Sequence, residues 1–271
     1  MSPVKISFKD QAFADEKGIV ERNTPYINWD RNCENKKLCV YTDTKLFEPL
    51  IAKFNIAWLL EPMAVRTDTY EYILRNPNKF DLILTYTREF YENPILKNKI
   101  RYYQFGGCWV KPEDSKIYDK TKDTSIIASW KKMTEGHKLR HETIGKFKGM
   151  IDVYGNGYKF IQNKLEGHKD YRYSIIIENI RQDFWFTEKI IDAFACGSIP
   201  IYWGCPSIGN FFNIDGIITF NDLQKLECIL QKNVSERDYN NRMKAIIENF
   251  NKVEDYRWCE KSIYEAIKEF L

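Results

Sequence analysis

The chain has 271 residues, 44% of them apolar and 29% charged, and carries a net charge of +3. This composition excludes intrinsic disorder, and a charge so small and evenly spread argues against nucleic acid as the main ligand. No apolar run is long enough for a membrane span, and the start, Met-Ser-Pro-Val-Lys-Ile-Ser, lacks a signal-peptide core. The expected location is the cytoplasm, with peripheral association at a membrane as the variant of that reading. Seven cysteines, an odd number without a C-x-x-C pair, point to reduced thiols rather than a disulfide framework or zinc knuckle.

In chain order, apolar runs predict strands over residues 4–8, 38–41, 56–60, 80–85 and 101–105, then over 125–128, 151–154, 173–177, 199–203 and 217–220. Several runs are continuous rather than alternating, such as Ser174-Ile-Ile-Ile177 and Asp81-Leu-Ile-Leu84, as strands buried on both faces of a parallel sheet require. Helical patterns cover 139–148, 187–196, 236–249 and 258–271. Strands alternating with helices predict α/β layers joined by right-handed crossovers. The polar run 111–124 divides the chain into an expected N-terminal domain, 1–118, and C-terminal domain, 119–271.

The segment 173–204 carries the most information. A buried strand ends at Glu178-Asn179, a loop bearing Trp185 follows, and a helix opens at Thr187 as N-cap with Glu188 in its first turn. Ile190, Ile191 and Phe194 share one face of that helix, Gly197 caps it, and 199–203 is the next strand. Lys189 opposes the helix dipole by about 0.3–1 kcal/mol, which makes sense where a stronger anion binds. Either that anion is a phosphate or the ammonium simply lies in solvent.

The positions of Glu178-Asn179, Thr187-Glu188-Lys189, Ala193, Pro200 and Trp203-Gly204 resemble the donor motif of family 10 glycosyltransferases, the α-1,3-fucosyltransferases, and of their bacterial members especially. Upstream, a strand, then Arg140 at the head of a helix, then Asp152-Val-Tyr-Gly155 resemble the family's strand, Arg-x(6)-hydrophobic helix and D-hydrophobic-aromatic-G strand. In the first half, Asn55-Ile-Ala-Trp-Leu-Leu-Glu61-Pro62 resembles the family's E-S-P or E-x-P segment, and Phe80-Asp-Leu-Ile-Leu-Thr-Tyr86 resembles its F-D strand.

The resemblance implies a GT-B architecture, two facing Rossmann-like domains with a donor cleft between them. It implies inverting transfer of L-fucose from GDP-fucose to a hydroxyl of a glycan acceptor, with an oligosaccharide or glycoconjugate as the partner and an α-1,3-type linkage as product. Glu61 would be the general base. Arg140 and Lys189 would hold the diphosphate, Glu188 the ribose, and Glu178, Asn179, Trp185 and Thr187 would complete the donor site. Trp185 stands where the family usually has Tyr, so a role needing a phenolic hydroxyl is lost here.

No Asp-x-Asp pair occurs at which a metal-dependent transferase would hold a divalent ion, so no metal and no cofactor beyond the donor sugar nucleotide is expected. Two alternatives stay open: another GDP-linked sugar as donor, or a non-catalytic nucleotide-sugar or glycan-binding module. Gly155-Asn-Gly157 lacks the third glycine of a dinucleotide fingerprint, which disfavours an oxidoreductase. Lys131 and Lys132 either assist the phosphate site or form a solvated loop, and His137 and His141, lacking a third ligand, read as surface histidines. Asn233-Val-Ser235 has the spacing of a glycosylation acceptor, without a secretory signal to make it relevant.

Overall fold

The structure, a computed structural model, describes residues 2–10 and 24–271. Two compact units divide the chain: Met1–Phe105 with Trp258–Leu271, and Gly106–Arg257.

The first unit is built on a six-stranded sheet: β1 (Val4–Lys9), β2 (Ile27–Asp30), β3 (Leu38–Thr42), β4 (Phe54–Trp58), β5 (Leu82–Thr85) and β6 (Ile100–Tyr102). The order is β2-β1-β3-β4-β5-β6, and neighbouring strands are parallel. Helices α1 (Thr67–Arg75) and α2 (Arg88–Glu92) follow β4 and β5. All residues of β3 and β5 are buried, as their unbroken apolar runs predict.

The second unit carries a five-stranded sheet: β7 (Lys122–Ile127), β8 (Asp152–Tyr154), β9 (Tyr171–Ile177), β10 (Ile199–Trp203) and β11 (Ile218–Thr219). Its order, β11-β10-β9-β7-β8, is likewise parallel throughout. Helix α3 (Glu135–Lys146) joins β7 to β8, and α4 (Glu188–Ala195) joins β9 to β10. Ile190, Ile191, Ala193 and Phe194 of α4 are buried, and the Phe194 ring lies 4.9 Å from that of Phe212. Gly197 takes the left-handed conformation expected of a cap, at φ 69°. Helices α5 (Leu223–Lys232), α6 (Glu236–Asn241), α7 (Met243–Asn251) and α8 (Val253–Tyr256) follow, so the single helix expected over 236–249 is broken near Arg242.

Helix α9 (Cys259–Ile267) belongs to the first unit. The division therefore differs from the expected 1–118 and 119–271: it falls at 105/106, and the last helix returns. Both differences have side-chain causes. Trp29 Nε1 donates to Glu260 at 3.2 Å, and Phe54 stacks on Phe270 with centroids 4.5 Å apart. Ahead of the polar run, the amides of Trp109 and Val110 donate to the buried carboxylate of Asp192, at 2.6 and 3.2 Å. Burial raises that carboxyl to about 7. The polar run is thus the approach to β7 and not a linker. All seven cysteines are free thiols, and no helix among the described residues is long and apolar enough to cross a membrane.

Candidate functional site

In an open parallel sheet, ligands bind beyond the carboxyl ends of the strands where the strand order reverses. In the second unit the chain leaves β7 for β8 on one side and returns to β9 on the other, so that point lies between β7 and β9. Arg140, Glu178, Asn179, Thr187, Glu188 and Lys189 are assembled around the end of β9.

Glu178 is the hub and is fully buried. Its Oε1 accepts from the Thr187 amide at 2.9 Å and its Oε2 from the Thr187 hydroxyl at 2.7 Å, with Lys189 Nζ at 3.6 Å. The carboxylate thus ties the start of α4 to the end of β9. The start of α3 is pressed against the same point, its Gly136 amide donating to the Asn179 carbonyl at 3.0 Å. A Cβ on Gly136 would lie 1.8 Å from the Glu178 carbonyl oxygen, and one on Gly204 would lie 2.6 Å from Glu178 Cγ. Neither backbone can yield without moving a helix or strand. Gly136→Ala is expected to destabilise the protein by about 1–3 kcal/mol, the usual cost of overpacking. Thermal unfolding checks this, and an unchanged melting temperature would mean that α3 slides back freely.

Arg140 is buried at 6% exposure and anchored by three hydrogen bonds. Nε and Nη2 donate to the Ile177 carbonyl, and Nη2 also donates to Asn179 Oδ1 at 2.9 Å. No described residue accepts from Nη1, so one edge of the guanidinium keeps its donors. Burial lowers its pKa, with Glu178 and Glu188 opposing, but a guanidinium starts so high that it stays charged.

Lys189 Nζ donates to Thr187 Oγ1 at 2.9 Å and to Glu188 Oε1 at 3.2 Å. Burial works against its charge, yet Glu188 and Glu178 outweigh burial and raise its pKa. The same attraction, joined by Lys164, overcomes burial at Glu188 and lowers that carboxyl. The cation that opposes the helix dipole thus has two protein carboxylates at hand. Lys164 lies in the turn Lys164–Gly167, in a run without helical or strand periodicity, and sequence patterning gave no reason to single it out.

Thr187 is the N-cap of α4, as its position predicts. Trp185 is buried at 2% exposure, and Phe186 beside it is packed among Phe211, Phe212 and Tyr256. His137 is not on the surface, contrary to expectation. It is 5% exposed and forms a capping box with Thr134, the N-cap of α3, its Nδ1 lying 2.7 Å from Thr134 Oγ1 and 3.3 Å from the Thr134 amide. His141, half-buried, bonds the Tyr158 hydroxyl and the Lys131 carbonyl.

Glu61 lies in the first unit, three residues beyond β4 and half-buried. Three buried tyrosines hold the segment leading to it. Tyr103 donates to the Leu59 carbonyl at 3.2 Å, Tyr86 to the Leu60 carbonyl at 3.2 Å, and Tyr70 to the Glu61 carbonyl at 3.1 Å. Burial raises the pKa of all three phenols, so they remain donors at any ordinary pH. The backbone carrying the carboxylate is fixed at three successive residues. Among the described residues, no group of three or more His, Cys, Asp or Glu side chains is placed to hold a metal ion.

No protein-family model matches the chain. The α-(1,3)-fucosyltransferase FucT of Helicobacter pylori is 37% identical over 71 residues, which is 26% of this chain and only 15% of that protein. A crystal structure of an α1,3-fucosyltransferase with GDP-fucose aligns over 97% of this chain and 91% of its own, with TM-score 0.55 and 19% identity. HepE of Anabaena, in complex with UDP-glucose, aligns over 98% of both chains with TM-score 0.59 and 11% identity. At such identities the structural likeness speaks for the fold, which is GT-B, as expected. The resemblance to the family 10 α-1,3-fucosyltransferases is therefore supported by sequence in FucT and by fold in the GDP-fucose complex.

Proposed function

We propose that this chain is a metal-independent, inverting glycosyltransferase that moves L-fucose from GDP-fucose to a hydroxyl of a glycan acceptor, forming an α-1,3-type linkage. The observation that carries the reading is the pair Arg140 and Lys189 at the switch point of the second unit, with the Nη1 edge of Arg140 uncommitted. The likeness to FucT and to a fucosyltransferase crystallised with GDP-fucose supports the choice of donor.

In a single displacement the acceptor oxygen bonds to the anomeric carbon as the bond from that carbon to the GDP oxygen breaks. Glu61 takes the acceptor proton, and the departing GDP carries the negative charge. Arg140 and Lys189 stabilise that charge as it develops, the part that a divalent ion plays in metal-dependent transferases. Glu188 and Asn179 position the nucleoside, while Glu178 and Thr187 hold the loop and helix in register. Trp185 serves that loop by packing.

Thermal shift across nucleoside diphosphates tests the donor. A rise with GDP and none with UDP is expected, whereas a rise with UDP alone would overturn the choice of nucleotide. Release of GDP from GDP-fucose on adding a glycan acceptor separates an enzyme from a binding module. Activity is expected to persist in excess EDTA, and a loss restored by Mn²⁺ or Mg²⁺ would overturn the metal-free assignment.

A further inference from the structure

We propose that the Nε2–H of His137 is a third donor to the diphosphate of the bound nucleotide sugar, beside Arg140 and Lys189. The inference rests on the donor reading above and adds to it a residue outside the donor motif.

His137 occupies the third position of α3, where a capping box ordinarily has Glu or Gln reaching back to the N-cap amide. Here Nδ1 does that work, accepting from the Thr134 amide. An Nδ1 that accepts leaves the proton of a neutral imidazole on Nε2. No described residue bonds Nε2, although the residue as a whole is only 5% exposed. Among the described residues the side-chain atoms that are both buried and unpartnered do not include Nε2, so this nitrogen reaches the surface at the start of α3 and is open to a ligand or to water.

The neighbours say which ligand. Burial first, then the charges of Arg140, Lys131 and Lys189, and His141 last, lower the imidazole to about 4. It is therefore neutral near pH 7, a hydrogen-bond donor and not a further charge, set among cations from its own helix, from the preceding loop and from α4. Arg140 lies three residues along α3, on the same face. Glutamate, the ordinary capping-box residue, would add a third carboxylate to Glu178 and Glu188 and repel an anion. Histidine caps the helix without that charge and offers an N–H instead. Imidazole and guanidinium, three residues apart in α3, together suit an anion with several acceptor oxygens, as a diphosphate has.

The test is calorimetry of GDP and of guanosine, which lacks the phosphates, on the full chain and on His137→Ala and His137→Glu. Loss of a hydrogen bond to a charged group predicts that His137→Ala weakens GDP by about 5- to 20-fold, with guanosine unchanged. His137→Glu keeps a capping side chain, so it should melt at or above the wild-type temperature. Its GDP affinity should nonetheless fall further than that of His137→Ala. GDP affinity in His137→Ala within about twofold of wild type would overturn the proposal and leave His137 a cap. Should that variant not fold, wild-type GDP binding by His137→Glu would overturn it equally. Wild-type protein that is folded but binds no GDP would overturn the donor reading itself, and this inference with it.

Discussion

Glu61→Gln should lower turnover by about 10²-fold or more, the range expected for loss of a general base, while GDP affinity stays within about twofold of wild type. The substitution is nearly isosteric, and the geometry makes it a clean test. The carbonyls of Leu59, Leu60 and Glu61 are each held by a buried tyrosine hydroxyl, so the backbone is anchored by bonds that do not involve the carboxylate. The substitution removes the ability to accept a proton together with the charge that acts on Arg66. Nearby carboxylates are poorly placed to substitute. Asp68 is paired with Arg66 through two bonds of 2.9 Å, and Glu71 with Arg75 at 2.8 Å. Turnover falling less than about fivefold, with the melting temperature unchanged, would make Glu61 a bystander, and the base would then be sought among other carboxylates of the first half, such as Glu71 or Asp68. Loss of GDP binding together with turnover would instead mean that Glu61 supports the structure of its unit.

Strands were the most legible part of the sequence, because a parallel sheet covered on both faces needs unbroken apolar runs, and 82–85, 173–177 and 199–203 are such runs. Helix α1 was harder to see: only Thr69, Tyr70 and Ile73 of its nine residues are buried, and two of these are polar or amphipathic. The return of α9 to the first unit rests on Glu260 meeting Trp29, a pairing across 231 positions that no local pattern announces. At the site, the N-cap Thr187 and the charges of Arg140 and Lys189 could be read directly. Glu178 could be named through resemblance, but not its role as a buried tie, because nothing in a nine-residue separation shows that its carboxylate meets the Thr187 amide and hydroxyl. Gly204 at the end of the motif belongs to the same tie, since any side chain there would strike Glu178. For His137 a signal was present: Thr134-Glu-Gly-His137 has capping-box spacing, with His in the place of Glu.

Lys189→Ala poses the question that the geometry leaves most sharply drawn. If its ammonium holds a phosphate, removing it loses a charge-assisted contact of about 1.5–3 kcal/mol, and GDP affinity should fall about 10- to 100-fold. The ammonium also lies 3.6 Å from the fully buried Glu178 carboxylate and 3.2 Å from Glu188. Removing one partner of a buried pair leaves the other charge uncompensated, at a cost of several kcal/mol when both are deeply buried. Here the lysine side chain is 22% exposed and Glu178 retains both bonds from Thr187, so a smaller loss is expected. The two roles separate in a paired measurement of calorimetry with GDP and thermal unfolding without it. A large loss of affinity with a modest fall in melting temperature makes Lys189 a phosphate ligand, with the two glutamates holding its ammonium until the nucleotide arrives. Unchanged affinity with a lowered melting temperature makes it the counter-ion of Glu178. The anion that offsets the place of Lys189 in the helix dipole would then be one the protein itself supplies, and Arg140 would be left to carry the diphosphate.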